Sequence, residues 1–141
     1  ARGDDRLAPV VVDGAHIGDS ANRLEASLRA EFGPRHIWLV IGVYGDKDLD
    51  AIVQPFKSSV VHTWAVRTRQ PRALPAETVA SRLNALGIPA SPAAGMSDAL
   101  AHARRSAAPG ALVLVTGSFS AVAEARETLG LVPDSERDPL I

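Results

Sequence analysis

The sequence predicts an α/β domain: a mostly parallel sheet of about five or six strands with helices on both faces. Three observations predict it. Short apolar runs, most of them β-branched, alternate with segments of helical periodicity along the chain. Two of the runs, His36 to Val43 and Ala111 to Thr116, are almost continuously apolar, as strands buried on both faces are. The 141 residues are 46% hydrophobic and 22% charged, which suits one core and a single domain.

The elements follow in order. Pro9 to Val12 is a short apolar run, and Asp13 to Gly18 breaks it with two glycines. Ala21, Leu24, Leu28 and Phe32 then recur at helical spacing and predict a helix from about Ser20 to Glu31, with Asp19 as N-cap and Gly33-Pro34 as stop. The second strand is His36 to Val43. Tyr44 to Asp48 is turn-like. Leu49, Ile52, Val53 and Phe56 fit a short helix capped by Asp48. Val60 to Val66 is β-branched and aromatic, a third strand, followed by a basic loop from Arg67 to Arg72. Pro75 opens a helix carrying Val79, Leu83 and Leu86, which Gly87 ends. Ala90 to Ala94 gives a weak strand signal. Ser97 is expected to cap a helix to about Arg105. After the strand Ala111 to Thr116, Gly117-Ser118 turns into a last helix with Val122, Ala125, Arg126 and Leu129 along it.

Composition excludes several classes. Lys+Arg is 15 and Asp+Glu 16, a net charge of −1, without the basic excess of a duplex nucleic-acid binder. No apolar run approaches the roughly 18 residues of a membrane span. There is no Cys, hence no disulfide or thiolate metal site, which is compatible with a reducing, cytoplasmic setting. His16, His36, His62 and His102 are scattered without ligand spacing, so no metal site is expected. The phosphate loop G-x-x-x-x-G-K-[ST], the dinucleotide fingerprint G-x-G-x-x-G and the nucleophile elbow G-x-S-x-G are all missing.

Ligands of open α/β sheets bind outside the carboxyl ends of the strands. The polar residues gather there: Asp13-Gly14-Ala15-His16, Gly45-Asp46-Lys47-Asp48, Arg67 to Arg72, and Thr116-Gly117-Ser118. Each has two readings. Asp13 either ends a strand and caps a turn, or accepts hydrogen bonds from a ligand hydroxyl such as a ribose. His16 precedes the first helix, whose free N–H groups favour an anion, or is structural. Lys47 either forms a solvated ion pair with Asp46 and Asp48 or meets a ligand. Arg67, Arg69 and Arg72 contact an anion or form a solvated loop. Ser118 either faces an anion at a helix start or, like Ser120, serves as its N-cap.

Four segments in this order resemble the C-terminal domain of folylpolyglutamate synthase/dihydrofolate synthase, within the Mur ligase superfamily. Val10-Val11-Val12-Asp13-Gly14-Ala15-His16 is similar to the family's strand and Asp-Gly-Ala-His-Asn-Pro turn. Ile41-Gly42-Val43 with Asp46-Lys47-Asp48 resembles its Gly-Val and Asp-Lys-Asp segment. Pro71-Arg72-Ala73-Leu74-Pro75-Ala76-Glu77 and Leu112-Val113-Leu114-Val115-Thr116-Gly117-Ser118 resemble two further segments. The resemblance spans about Pro9 to Leu129 and implies a Rossmann-like domain over 9–130, with a lead-in over 1–8 and a tail over 131–141.

It also implies a reaction. ATP phosphorylates a substrate carboxylate, and the amine of glutamate attacks the acyl phosphate to form an amide on folate. By carry-over, Asp13 contacts the ATP ribose and His16 lies near the phosphates or the reacting centre. Ser118, with His16 an implied catalytic residue, meets the incoming glutamate, and Lys47 is an implied substrate-binding residue. The implied partners are ATP, glutamate and folate, together with an N-terminal ATPase domain that holds the phosphate loop and most magnesium ligands. This chain alone is then expected to be inactive, and no nucleic acid or membrane is implied. Ile17-Gly18 replaces the family's Asn-Pro, and only Arg2 falls near an ATP-contacting Arg of the family. Two alternatives stay open: a stand-alone binding or regulatory module of the same fold without catalysis, and the C-terminal domain of a cell-wall Mur ligase.

Overall fold

Five strands, β1 (Val10–Val12), β2 (Ile37–Ile41), β3 (Val60–Ala65), β4 (Ala90–Pro92) and β5 (Leu112–Thr116), pair in the order β1-β5-β2-β3-β4. Every pairing between them is parallel. The structure, a computed structural model, describes residues 8–15, 18–45 and 47–130. The expected lead-in and tail therefore lie almost wholly outside the described residues. The five helices are α1 (Gly18–Phe32), α2 (Leu49–Val53), α3 (Ala76–Ala85), α4 (Met96–Ser106) and α5 (Phe119–Thr128).

Alternation along the strands sorts the core into two layers. Leu39, Ile41, Leu112 and Leu114 point to one face and pack with Leu24 and Leu28 of α1, Ile52 of α2, and Val79 and Leu83 of α3. Val40, Val113 and Val115 point to the other, against Met96, Ala99, Leu100 and Ala103 of α4 and Ala121 and Ala125 of α5. The winding explains the partition. β1 to β4 advance across the sheet in one direction, so right-handed crossovers put α1, α2 and α3 on one face. The step from β4 to β5 runs backwards, which sends α4 to the opposite face. β5 inserts between β1 and β2. Connections therefore leave its carboxyl end and those of its neighbours toward opposite faces, opening the crevice where such sheets bind ligands.

The predicted strands and helices are present, with local corrections. Asp19 lies within the first turn of α1 rather than before it, with its charge at the helix's positive end. Asp48 caps α2 as expected, its Oδ1 accepting from Ala51 N at 3.1 Å. Pro55 tightens the continuation into a single 3-10 turn, Gln54–Phe56. Pro75 is itself the cap residue of α3. Ser97 does not cap α4: the helix starts at Met96 after Gly95, and Asp98 Oδ2 instead reaches back to Ala94 N at 3.2 Å. That carboxylate satisfies the entering loop, so Ser97 stays exposed inside the first turn.

Candidate functional site

Three chain segments are knitted together where β1, β5 and β2 end. Asp13 still belongs to the ladder through its N–H, which donates to Val115 O at 3.0 Å. Its Oδ1 accepts from Ala15 N at 3.0 Å, closing an Asx turn on an exposed residue. Ala15 O then accepts from Gly117 N at 3.1 Å and from Thr116 Oγ1 at 3.3 Å. The turn after β1 is thereby fixed to the turn after β5. His16, together with Ile17, lies outside the described residues.

Phe119 opens α5 and is 70% exposed. Its ring lies over Gly14 so closely that a Cβ there would sit 2.7 Å from Cδ1. Gly117 is constrained by both conformation and space. Its φ is 109°, and a Cβ would meet Gly42 O at 2.6 Å.

Ser118 is 1% exposed. Its hydroxyl donates to Gly42 O at 2.8 Å and accepts from Ala121 N at 3.2 Å. Those two bonds make it the N-cap of α5 and tie that helix to the end of β2. With its proton committed to Gly42, Ser118 orients the first turn of α5 rather than extending a free hydroxyl into the crevice. A small group of hydroxyls stands beside it: Ser120 Oγ donates to Thr68 Oγ1 at 2.9 Å, with Tyr44 Oη at 3.4 Å from Ser120 Oγ. The sequence pattern does not single out Tyr44 or Thr68, and it offers Ser120 only as a cap. Their common signal is a hydroxyl residue within three positions of a strand end or helix start.

Two of the segments that carry the resemblance pair with each other. Leu74 N donates to Val43 O at 3.0 Å and Gly45 N to Arg72 O at 3.1 Å, around an antiparallel bridge between Tyr44 and Ala73. Lys47, half-buried, borders a separate hollow of about 340 Å³ with Asp48, Asp50 and Arg82, between the start of α2 and the end of α3. The structure does not join it to Ser118. Nor does the basic loop form one anion site. Arg69 is bound to α5, by Glu127 at 2.7 Å and Glu124 at 3.5 Å. The hydrogen bond to Glu127 and the two carboxylate charges raise its pKa. Among the described residues, no group of three His, Cys, Asp or Glu could hold a metal ion. No helix among them is long and apolar enough to cross a membrane.

A parallel sheet with this order and a site at β1, β5 and β2 defines a class that family comparison identifies. Residues 2–119 match the model of the Mur ligase, glutamate ligase domain, and the chain belongs to that family of ATP-dependent ligases. Within it, solved structures of folylpolyglutamate synthases resemble the chain. That of Mycobacterium tuberculosis, complexed with ADP and AMPPCP, superposes with a TM-score of 0.79 at 27% identity over 88% of this chain. Escherichia coli FolC, in complex with DHPP and ADP, gives 0.74 at 29% identity over 92%. The bifunctional folylpolyglutamate synthase/dihydrofolate synthase of Yersinia pestis, complexed with AMPPNP and Mn ion, gives 0.76 at 25% over 86%. This chain spans 30%, 29% and 28% of those three proteins respectively. No curated protein matches it significantly.

Proposed function

We propose that this chain is the C-terminal domain of a cytoplasmic ligase of the folylpolyglutamate synthase/dihydrofolate synthase type, which adds glutamate to folate. The observation that carries the reading is the knot at the carboxyl ends of β1, β5 and β2. It presents Asp13, Phe119 and the first turn of α5 on one rigid frame at the point where an open α/β sheet takes ligands.

In the proposed reaction a substrate carboxylate oxygen attacks the γ-phosphorus of ATP, and ADP leaves. The glutamate nitrogen then attacks the acyl carbon of the resulting acyl phosphate. Phosphate departs with the oxygen it received, the nitrogen loses a proton, and an amide remains. Asp13 receives the ribose hydroxyls on a carboxylate already oriented by Ala15 N. Ser118 holds α5 so that its first N–H groups meet a glutamate carboxylate. His16 is assigned to the phosphates or the reacting centre on resemblance alone, and Lys47 to substrate binding on the same basis. The described residues offer no cluster fit for magnesium, which accompanies ATP and neutralises phosphate charge. Its ligands belong to the N-terminal ATPase domain in this reading, as does the phosphate loop. The chain by itself is therefore a contributor of contacts without turnover.

The test is Asp13→Ala beside Asp13→Asn in the intact ligase. Loss of a charge-assisted hydrogen bond costs about 1.5–3 kcal/mol, or roughly tenfold to a hundredfold in kcat/KM for ATP. Asn keeps the acceptor for Ala15 N, so the turn survives while the charge is lost. Unchanged ATP kinetics in both variants would leave Asp13 a turn residue. Ligase turnover or ATP-dependent phosphate release by the purified 141-residue chain would also overturn the reading.

A further inference from the structure

At the opposite, amino end of the sheet, a cavity of about 220 Å³ lies between the last turns of α1, the start of β2 and the turn that leads into β3. Its apolar lining comes from Leu28, Ile37, Phe56 and Leu112, each less than 9% exposed. The volume exceeds the roughly 150 Å³ that takes up benzene in an apolar protein cavity, and falls below the about 300 Å³ at which drug-sized pockets begin. An occupant is therefore the size of one ring or a short branched chain.

The rim is charged. Glu25 is bound to Arg29 at 3.1 Å, so those two cancel. Arg35 is left over. Its Nε donates to Phe32 O at 3.1 Å, and a terminal nitrogen lies 3.5 Å from Ala111 O. The guanidinium carbon sits 5.2 Å from the centre of the Phe32 ring. These contacts fix the guanidinium without neutralising it, and no carboxylate among the described residues pairs with it. Of the five N–H donors of an arginine, two point at these carbonyls, leaving three for a ligand. Ser58 and Ser59 add hydroxyls to the same rim. Beyond Arg35 a second hollow of about 320 Å³, past His36 and Gly110, shares Pro34, Arg35, Ser58 and Ser59 with the first and gives solvent access to the charge.

We propose that this cavity is a second binding site, remote from the carboxyl-end crevice, for a small organic carboxylate whose hydrocarbon body lies on Leu28, Ile37, Phe56 and Leu112 and whose anion meets Arg35. A held, uncompensated guanidinium matches the planar fork of a carboxylate. The proposal does not depend on the ligase reading, because the site lies wholly on this chain and away from the ATP and glutamate contacts assigned above.

The experiment titrates the 141-residue chain with benzoate and with 4-methylpentanoate, following backbone amide resonances by NMR. Saturable shifts at Ile37, Ser59 and Leu112 are expected, with benzamide and 4-methylpentanamide at least tenfold weaker. Arg35→Gln is expected to weaken both acids about tenfold and leave the amides unchanged. Three results would each overturn the proposal: no saturable shift, equal binding of acid and amide, or shifts confined to Asp13 and Ser118. The acid-against-amide comparison uses the unaltered chain, so it decides even where Arg35→Gln fails to fold.

Discussion

The hydroxyl of Ser118 donates to the carbonyl of Gly42 at 2.8 Å, joining the start of α5 to the end of β2 across 76 residues of chain. The same oxygen accepts from Ala121 N, so one atom both caps a helix and satisfies a carbonyl at a site shielded from water. Deleting it is expected to cost more than a cap alone. Cap loss is worth about 0.5–2 kcal/mol, and an unsatisfied buried carbonyl about 1–3 kcal/mol.

Ser118→Ala is accordingly predicted to lower the melting temperature of the isolated chain by roughly 5–15 °C. In the intact ligase proposed above it is predicted to raise KM for glutamate severalfold, since the N–H groups of α5 lose their fixed direction, while KM for ATP stays near its starting value. The measurement is a melting curve paired with kinetics at varied glutamate. A lowered melting temperature with unaltered glutamate kinetics would assign Ser118 to the scaffold alone.

Gly117→Ala tests the same junction from the backbone. A φ of 109° is strained for any L side chain, and the new Cβ would fall 2.6 Å from Gly42 O and 2.9 Å from Ile41 Cγ1. Strain of this kind costs about 1–3 kcal/mol before the steric overlap is added. The variant is predicted to be destabilised by more than about 2 kcal/mol in urea unfolding. Gly33→Ala is the comparison: its φ is 75°, but no atom lies within 4 Å of the Cβ. A loss no greater at position 117 than at position 33 would mean that the turn relaxes away from Gly42.

Much of this arrangement was legible in the chain, and the unread parts share a cause. β2 and β5 announce themselves because central strands are apolar on both faces, and α1 and α3 because their buried residues recur every three or four positions. β4 is faint because it is a three-residue edge strand, Ala90–Pro92, with little to bury. Asp13 and Ser118 were readable as polar residues following strands. Their partners were not. Thr116 meets Ala15 across 101 residues, and Arg69 N meets Glu124 across 55. Those contacts depend on β5 inserting between β1 and β2, which no local pattern encodes. The basic loop consequently read as a candidate anion site, although one of its arginines is bound to acids of α5.

Thr63 offers a stability test away from the site. It is fully buried in β3, and its Oγ1 has no hydrogen-bond partner. Leaving a hydroxyl unsatisfied in an apolar layer costs about 1–3 kcal/mol. Thr63→Val exchanges that hydroxyl for a methyl group of similar shape. It is predicted to raise stability by about 1 kcal/mol, read as a higher urea midpoint at an unchanged slope. A drop in the midpoint would show that the hydroxyl has a partner in solution, such as an ordered water.

His62 sets a pH dependence. It packs edge-on against Trp64, with ring centres 4.9 Å apart, and its Nε2 lies 2.9 Å from Ser91 Oγ. Trp64 in turn stacks on Trp38 and His102, so the imidazole borders an aromatic cluster. Burial there lowers its pKa below the ordinary value of 6.5, because desolvation disfavours the charged ring. Above about pH 6.5 the group is neutral in both the folded and unfolded chain, and its full contribution to stability is present. As the pH falls below that, the unfolded chain takes up the proton first. The folded state binds fewer protons, so stability declines with falling pH until the folded ring is protonated too. Unfolding midpoints measured between about pH 7 and pH 5 are predicted to fall in the parent chain and to fall less steeply in His62→Gln, which keeps a hydrogen-bonding side chain but cannot titrate. An equal slope in the two proteins would move the origin of any acid sensitivity away from His62.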